Sequence, residues 1–197
     1  MAANEAQRLH WNDEGWVAVW PKRERLSDAI TPFLIDALAL QPGEQVLDIG
    51  CGGGKATIAA AKAVAPTGRA VGADISVKLT GLAARRAAEA NVSNATFVVV
   101  DAQHDPVAGA PFDVAMSQLG VMFFDETVTA FTNIRAQLKP GARLAFACWQ
   151  TVDRNPWFLG TVLGGVVPPP PPPAPGKNPI GPFSLGDPDR TIGLLGF

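Results

Sequence analysis

The feature that most constrains the fold of this chain is a turn with glycine at every second position, at Gly50, Gly52 and Gly54. The turn follows residues 46–49, which are apolar except for Asp48 and are typical of a parallel strand buried on both faces. It leads into the alanine-rich residues 55–61, which predict a helix. Because glycine adopts positive φ at little cost and lets a ligand approach the backbone, this pattern predicts a nucleotide-binding turn.

Two phosphate-binding motifs do not fit this turn. The dinucleotide fingerprint G-x-G-x-x-G needs a third glycine or alanine at the position where this sequence has Lys55. The mononucleotide P-loop needs serine or threonine after its lysine, whereas Ala56 follows Lys55 here. The motif therefore argues against a site built to cradle phosphates.

The turn reads D-x-G-x-G-x-G, with Asp48 as its acid, and in this it resembles the cofactor turn of the class I S-adenosylmethionine-dependent methyltransferases. S-adenosylmethionine carries an ammonium and a sulfonium group and has no pyrophosphate. The resemblance therefore implies that Asp48 supplies negative charge near the bound cofactor. Taken alone, the turn also fits a glycine-rich connector in another α/β protein.

Two later apolar runs also end in an acid. Asp74 ends the run at residues 69–74, at the spacing from the turn where a carboxylate commonly binds ribose hydroxyls. Ser76 is the better N-cap for the helix that follows, which leaves Asp74 available for a ligand. Asp101 ends the third run, and the resemblance implies that it binds the exocyclic amine of adenine while the amide of Ala102 reaches a ring nitrogen.

Strand and helix patterns alternate through residues 42–150, with a fourth strand at residues 112–118 and a fifth at residues 141–149. A helix over residues 126–138 lies between them. This alternation predicts an α/β fold with a parallel sheet and right-handed crossovers. The resemblance implies a Rossmann-like, mostly parallel sheet of order 3-2-1-4-5 with helices on both faces. The acids then meet at the carboxyl edge of the sheet, where open α/β sheets bind ligands.

Residues 1–41 form a predicted N-terminal helical cap. Apolar residues recur at helical spacing from Leu26 to Leu38, and Thr31-Pro32 predicts two short helices that meet there, with Pro32 at the first position of the second. Trp11, Trp16 and Trp20 precede them. One interpretation is that these tryptophans pack the cap onto the sheet edge. The other is that one of them, best Trp11, forms a wall of the pocket, because aromatic rings attract a cationic sulfonium.

The motifs, the resemblance and the tryptophan hypothesis together define one predicted S-adenosylmethionine site in the domain at residues 42–150. Its predicted residues are Asp48, Gly50, Cys51, Gly52, Asp74, Ile75, Asp101, Ala102, Ser117 and Trp11.

Residues 151–197 differ in composition from the rest of the chain. Pro168 to Pro173 predict a polyproline II spacer, and Asp187-Pro188 predict the start of a last short helix. The resembled family has seven strands, and no further alternating apolar run follows the fifth strand here. We therefore expect an incomplete C-terminal part that lacks the usual final two strands. The fifth strand would then be an exposed edge through which copies self-associate.

Composition argues against several classes of partner and location. The net charge of −2 disfavours nucleic acid or a membrane surface held by bulk electrostatics. No stretch approaches the roughly 18 apolar residues of a membrane span, and the polar start lacks a signal-peptide core. The two cysteines form neither a disulfide framework nor a metal motif. These features predict a cytoplasmic protein without a metal site.

Residues 117–124 are apolar, whereas amine-directed nucleic-acid and protein methyltransferases carry N/D-P-P-Y/F at this place. The chain therefore resembles the small-molecule branch, in particular the ubiquinone/menaquinone-biosynthesis-like group with a methyltransferase type 11 or 25 domain. The resemblance implies methyl transfer to an oxygen, carbon or nitrogen of a small molecule. His10 and His104 are the candidate bases, and neither is assigned a catalytic role. The alternatives are a non-catalytic S-adenosylmethionine-binding module and an NAD-dependent oxidoreductase.

Overall fold

A computed structural model of the protein describes residues 4–156 and 180–196. Its centre is a five-stranded sheet in which every neighbouring pair is parallel and the order is β3-β2-β1-β4-β5. The strands are β1 (Gln45–Ile49), β2 (Arg69–Asp74), β3 (Ala95–Val99), β4 (Phe112–Gln118) and β5 (Leu138–Ala147). The predicted α/β class and strand order 3-2-1-4-5 are confirmed.

Helices cover the sheet and its carboxyl edge. They are α1 (Glu5–Trp11), α2 (Glu14–Glu24), α3 (Ile30–Leu38), α4 (Lys55–Ala63), α5 (Val77–Glu89), α6 (Thr127–Ala136) and α7 (Pro188–Leu195). Short 3₁₀ turns lie at Arg25–Ser27, Val121–Phe123 and Val152–Arg154. No helix in the described ranges is both long and apolar enough to cross a bilayer. Those ranges also hold no group of three or more His, Cys, Asp or Glu arranged for a metal ion.

Two apolar cores lie on opposite faces of the sheet. Successive side chains of a strand point to opposite faces, so Val46 packs with α3 and α4, whereas Leu47 and Ile49 pack with α6 on the other face. Both faces are covered, which explains why the strand β1 is apolar at almost every position. Asp48 is the exception, and it points toward α4, where Thr57 receives it.

The boundary between α6 and β5 differs from the predicted one. The helix ends at Ala136 and the strand begins at Leu138, so Lys139-Pro140-Gly141 lies within the strand. The pairing of Phe112 with Leu138 draws the chain into the sheet directly after the helix, and the register then shifts before Val114. Gly141 accommodates this irregularity with a φ of 77°, and proline is tolerated because β5 is an edge strand among the described residues.

The predicted N-terminal cap divides into two parts. The predicted meeting of two helices at Thr31 is wrong, because residues 26–38 hold the end of a 3₁₀ turn and the single helix α3, in which Pro32 is the third residue and Thr31 is not the cap. The Thr31 hydroxyl instead donates to Gln118 Oε1 at 2.7 Å. The helix α3 packs on β4, β5 and α4 and belongs to the helical layer of the sheet. Only α1 and α2, with the 3₁₀ turn at Arg25–Ser27, lie over the carboxyl edge, and the domain boundary at residue 41 stays a prediction.

The C-terminal residues 180–196 pack on the core and form a turn and α7 rather than a strand. The Asp187 side chain accepts hydrogen bonds from the amides of Asp189 and Arg190, with Pro188 at the helix start, as predicted. The run from Pro168 to Pro173 lies outside the described residues. Within them, β5 pairs with β4 alone. The missing final strands and self-association through β5 stay predictions.

Candidate functional site

A cavity of about 750 Å³ lies at the carboxyl edge of the sheet, between the strand ends and the helices α1 and α2. The three acids at the ends of β1, β2 and β3, which are Asp48, Asp74 and Asp101, line the same cavity. All the other predicted cofactor-binding residues except Ser117 line it as well. The structure therefore brings together the residues that the sequence motifs selected, at the edge where open α/β sheets bind ligands.

The glycine turn has the predicted backbone conformation. Gly50, Gly52 and Gly54 have φ values of 66°, 51° and 81°. The close approach to the turn, however, comes from the protein itself. A Cβ on Gly50 would lie 2.8 Å from Gly120 Cα, and one on Gly52 would lie 2.5 Å from Cζ2 of Trp20. The glycines are thus required by packing within the chain, while Gly50 and Gly52 also face the cavity.

Asp48 is a buried carboxyl in which only one oxygen is hydrogen-bonded. Its Oδ2 accepts a hydrogen bond from the Thr57 hydroxyl at 2.6 Å, and its Oδ1 is buried without a partner. Burial raises the pKa of Asp48 to about 7, and the nearby Asp74 adds to the shift while the Thr57 bond opposes it. The negative charge predicted for Asp48 therefore depends on pH and on a cation in the cavity. Sequence reasoning missed Thr57, whose signal was its position in the first turn of α4.

Asp74 holds the glycine turn and the next helix in place. Its Oδ2 accepts from the Gly52 amide and its Oδ1 from the Ser76 amide, each at 2.8 Å. Burial raises its pKa, although these amide bonds oppose the shift. Ser76 caps α5 as predicted, since its Oγ accepts from the Leu79 amide. Each Asp74 oxygen keeps a second lone pair, so the carboxylate can still accept two hydroxyl donors.

Asp101 and Ser117 occupy different kinds of position. Asp101 accepts a hydrogen bond from the Gln103 amide at 3.0 Å and faces the cavity, next to Ala102. The Ser117 hydroxyl instead donates to the Ile49 carbonyl at 2.7 Å and accepts from the Gly120 amide. Ser117 is fully buried and joins the ends of β1 and β4 behind the cavity. The structure therefore does not bring Ser117 to the site that the resemblance assigned to it.

Aromatic side chains form one wall of the cavity. The Trp11 ring lies 5.0 Å from the Phe123 ring, 5.4 Å from Trp16 and 6.1 Å from Trp20, in edge-on contacts. These rings line the cavity together with the apolar residues 119 and 122–124. The two interpretations of the tryptophans do not exclude each other, because rings that pack α1 and α2 onto the sheet edge also line the cavity, and the role of Trp11 toward a cofactor stays a prediction.

Arg86 links α2 to the glycine turn through an ion pair and a hydrogen bond. The Arg86 guanidinium donates to Glu24 Oε2 and to the Gly53 carbonyl, both at 2.8 Å. The Glu24 side chain is only 8% exposed, and Lys55 Nζ also lies 4.0 Å from its Oε2. Lys55 at the start of α4 pairs with Asp28 at 2.6 Å. These ion pairs were not predicted from the sequence because their partners are distant along the chain.

Both histidines are exposed, but only one of them lines the cavity. His104 is exposed, lies outside the cavity and contacts the Gln103 side chain at 2.9 Å. His10 lies on the cavity wall, with its ring 4.8 Å from Trp11 and 4.7 Å from Trp16. On the same wall, the Arg23 guanidinium lies 3.9 Å above the Trp16 ring. Of the two candidate bases, only His10 therefore lines the cavity.

Comparison with known proteins agrees with this geometry. Residues 46–141 match the family model of a methyltransferase domain. The chain is 34% identical over 113 residues to aklanonic acid methyltransferase of Streptomyces sp. (strain C5), covering 57% of this chain and 51% of the relative. It is also 34% identical over 113 residues to a ubiquinone/menaquinone biosynthesis C-methyltransferase of Ectopseudomonas mendocina (strain ymp), covering 57% and 44%. A SAM-dependent methyltransferase from Aquifex aeolicus shares the fold, with a TM-score of 0.58, 18% identity and coverage of 81% and 86%.

A parallel 3-2-1-4-5 sheet with an acid at the end of each of β1, β2 and β3 defines a Rossmann-like nucleotide-binding domain. The family match is more specific: residues 46–141 match the model of a methyltransferase domain. S-adenosylmethionine is the cofactor of this family. The chain spans about half the length of the curated relatives it matches.

Proposed function

We propose that this protein binds S-adenosylmethionine and transfers its methyl group to an oxygen, carbon or nitrogen of a small-molecule acceptor. The observation that carries the proposal is one continuous cavity that joins the acids at three strand ends to an aromatic wall. The acids suit the polar and cationic groups of the cofactor. The aromatic and apolar residues suit an uncharged or weakly charged acceptor. The names of the two relatives describe methyltransferases of small molecules.

The residues present fit the cofactor. Asp74 keeps lone pairs for the ribose hydroxyls, and Asp101 with the Ala102 amide receives the adenine. Gly50 and Gly52 face the part of the cavity next to Asp48, whose unpartnered Oδ1 suits a cationic group. When bound, the cofactor supplies a methyl group on a sulfonium, which is a good electrophile.

The chain's own residues position the acceptor and exclude water. Trp11 and Phe123 form a rigid edge-on pair that limits where a planar acceptor can lie. Transfer to a hydroxyl or an amine releases a proton, and His10 lies on the wall where it can accept this proton. A carbon acceptor that is already an enolate needs no such base.

The proposal extends to location and partners. The negative net charge and the free cysteines support a cytoplasmic protein that binds neither nucleic acid nor a membrane surface. The edge position of β5 among the described residues supports self-association, because an edge strand offers backbone groups to a second copy.

Titration calorimetry with S-adenosylmethionine and S-adenosylhomocysteine tests the cofactor assignment. Asp74→Ala should weaken binding by about tenfold or more, because hydrogen bonds to a charged acceptor contribute about 1.5–3 kcal/mol each. Asp36→Ala is the matched control, since Asp36 is an exposed acid on α3 away from the cavity. Unchanged affinity in Asp74→Ala would contradict the assignment, and NADH binding seen by fluorescence would favour the oxidoreductase alternative.

A methyl-release assay against quinols, phenols and amines tests the reaction itself. Turnover with any of these acceptors supports a transferase. Tight cofactor binding without turnover on any acceptor, in a sample whose cofactor site responds to Asp74→Ala, would favour the alternative of a non-catalytic binding module.

A further inference from the structure

Asn4 is a buried polar residue that makes an unusual contact with the predicted adenine site. It precedes α1 and is only 9% exposed. Asparagine is a preferred helix cap, yet its side chain makes no capping bond to α1. Instead its Nδ2 donates to both Asp101 oxygens at 3.1 Å, across 97 residues of sequence. The side chain is therefore committed to the site and not to its own helix.

The other end of the Asn4 amide has no partner. A carboxylate accepts hydrogen bonds and donates none, so the NH₂ group must face Asp101 and the carbonyl Oδ1 must point away from it. Oδ1 is buried and accepts no hydrogen bond. Buried acceptors are almost always satisfied, and an unsatisfied one destabilises the fold. This atom therefore points to a donor that a ligand supplies.

The geometry points to Asn4 as a second adenine-binding residue, in which Oδ1 accepts one N–H of the exocyclic amine while Asp101 accepts the other. This inference rests on the proposed function, since it takes the cofactor to be an adenosine derivative. Asn4 lines the same cavity as Asp101 and Ala102. An adenine amine carries two N–H groups, one for each of these acceptors. A 6-oxo purine has no such donor and is rejected by this pair.

The backbone at position 4 also suits asparagine. Its φ is 59°, in the left-handed region that asparagine and glycine adopt more readily than other residues. Asn91, at the end of α5, shares this conformation with a φ of 54° and is exposed. Asn4→Gly and Asn91→Gly therefore form a matched pair that removes the same side chain from the same backbone conformation.

Titration calorimetry with S-adenosylhomocysteine and its N6-methyl analogue separates direct contact from an indirect effect through Asp101. In the natural protein the analogue, which has one N–H, should bind about tenfold more weakly. S-adenosylhomocysteine should bind Asn4→Gly about tenfold more weakly than it binds the natural protein. The two ligands should bind this variant equally, because in a double-mutant cycle the loss of either partner removes the same hydrogen bond. Asn91→Gly should behave as the natural protein does.

Two results would overturn the inference. Equal weakening of both ligands by Asn4→Gly would mean that Asn4 acts only by holding Asp101. Tighter binding of S-adenosylhomocysteine by Asn4→Gly would mean that Asn4 competes with the adenine. Asn4→Ser, with a thermal melt for each variant, guards against a folding defect. If the natural protein binds neither ligand, the proposed function fails, and this is seen before any variant is compared.

Discussion

The two sides of the cavity are built in different ways. On the sheet side, Asp74 is held by the backbone amides of Gly52 and Ser76, so its position follows from the strand–turn–helix units themselves. On the helix side, α1 and α2 are held by side chains that reach across the chain, such as Glu24 to Arg86 and Asn4 to Asp101. The sheet side can be recognised from short motifs, whereas the helix side depends on distant pairs.

This difference has an energetic consequence. Backbone amides stay in place when a neighbouring side chain is changed, so the sheet side should tolerate many substitutions. The helix side depends on a few buried polar contacts, and removal of one partner leaves the other unsatisfied. The following substitutions test this contrast.

The largest effect is expected where the two sides meet, at Gly52. Gly52→Val places a branched side chain at a φ of 51° and against the Trp20 ring. Strain and overpacking together should cost about 2–6 kcal/mol of unfolding free energy, measured by denaturant titration. Gly141→Val is the matched control, because its φ is 77° and no atom lies within 4 Å of the added Cβ. Equal losses in both variants would show that the contact with Trp20 contributes nothing.

Asp48 tests the sheet side through pH. Its folded pKa of about 7 lies above the ordinary value of 3.8, so the folded state holds a proton that the unfolded state releases. Stability should therefore fall as pH rises from about 4 to about 7, by about 4 kcal/mol in all. Asp48→Asn should remove this part of the pH dependence, which unfolding titrations across the range would measure. Asp74 contributes with the same sign in both proteins, so the difference between them measures Asp48 together with its repulsion from Asp74.

The same shift predicts the pH dependence of cofactor binding. A cationic ligand favours the ionised carboxylate, so its affinity should rise by up to about tenfold per pH unit below about pH 7 and level off above it. Calorimetry in Asp48→Asn should show a flatter profile and weaker binding near pH 8. A profile identical to that of the natural protein would mean that Asp48 does not sense the cofactor charge.

Arg86 tests the helix side. Arg86→Met leaves the Glu24 carboxylate with 8% exposure and without its guanidinium, and should cost about 2–3 kcal/mol of unfolding free energy. Tryptophan fluorescence should shift to the red as α2 loosens. Arg85→Met is the control, because Arg85 is the exposed neighbour on the same helix. An equal loss of unfolding free energy in both variants would contradict a stabilising role of the Glu24–Arg86 ion pair.

The smallest effect is expected at Ser117. Ser117→Ala removes bonds to the Ile49 carbonyl and the Gly120 amide and should cost about 1 kcal/mol of stability. Because the side chain lies behind the cavity, cofactor affinity should change by less than about twofold. A loss of about tenfold or more in calorimetry would instead support the cofactor contact predicted for Ser117 from the resemblance.

Much of the site was predictable because parallel strands bring their carboxyl ends to one edge. Asp48, Asp74 and Asp101 each end an apolar run, so the strand order alone places them together. The start of β5 was predicted three residues too late, because the pairing with Phe112 overrides the local Lys-Pro-Gly stop signal. Asn4 and Arg86 gave no local signal, since a polar residue just before a helix or on its surface is ordinarily solvated.

The sequence by itself determined the α/β class and the acids around the glycine turn, because these depend on short apolar runs and on the φ values that glycine permits, while the strand order was implied by the family resemblance. Only the tertiary structure decided that Trp20 packs on Gly52, that Arg86 fastens Glu24 and that Asn4 meets Asp101. These contacts join residues far apart in sequence, and their partners are selected by the packing of α1 and α2 over the sheet edge, which no local pattern encodes.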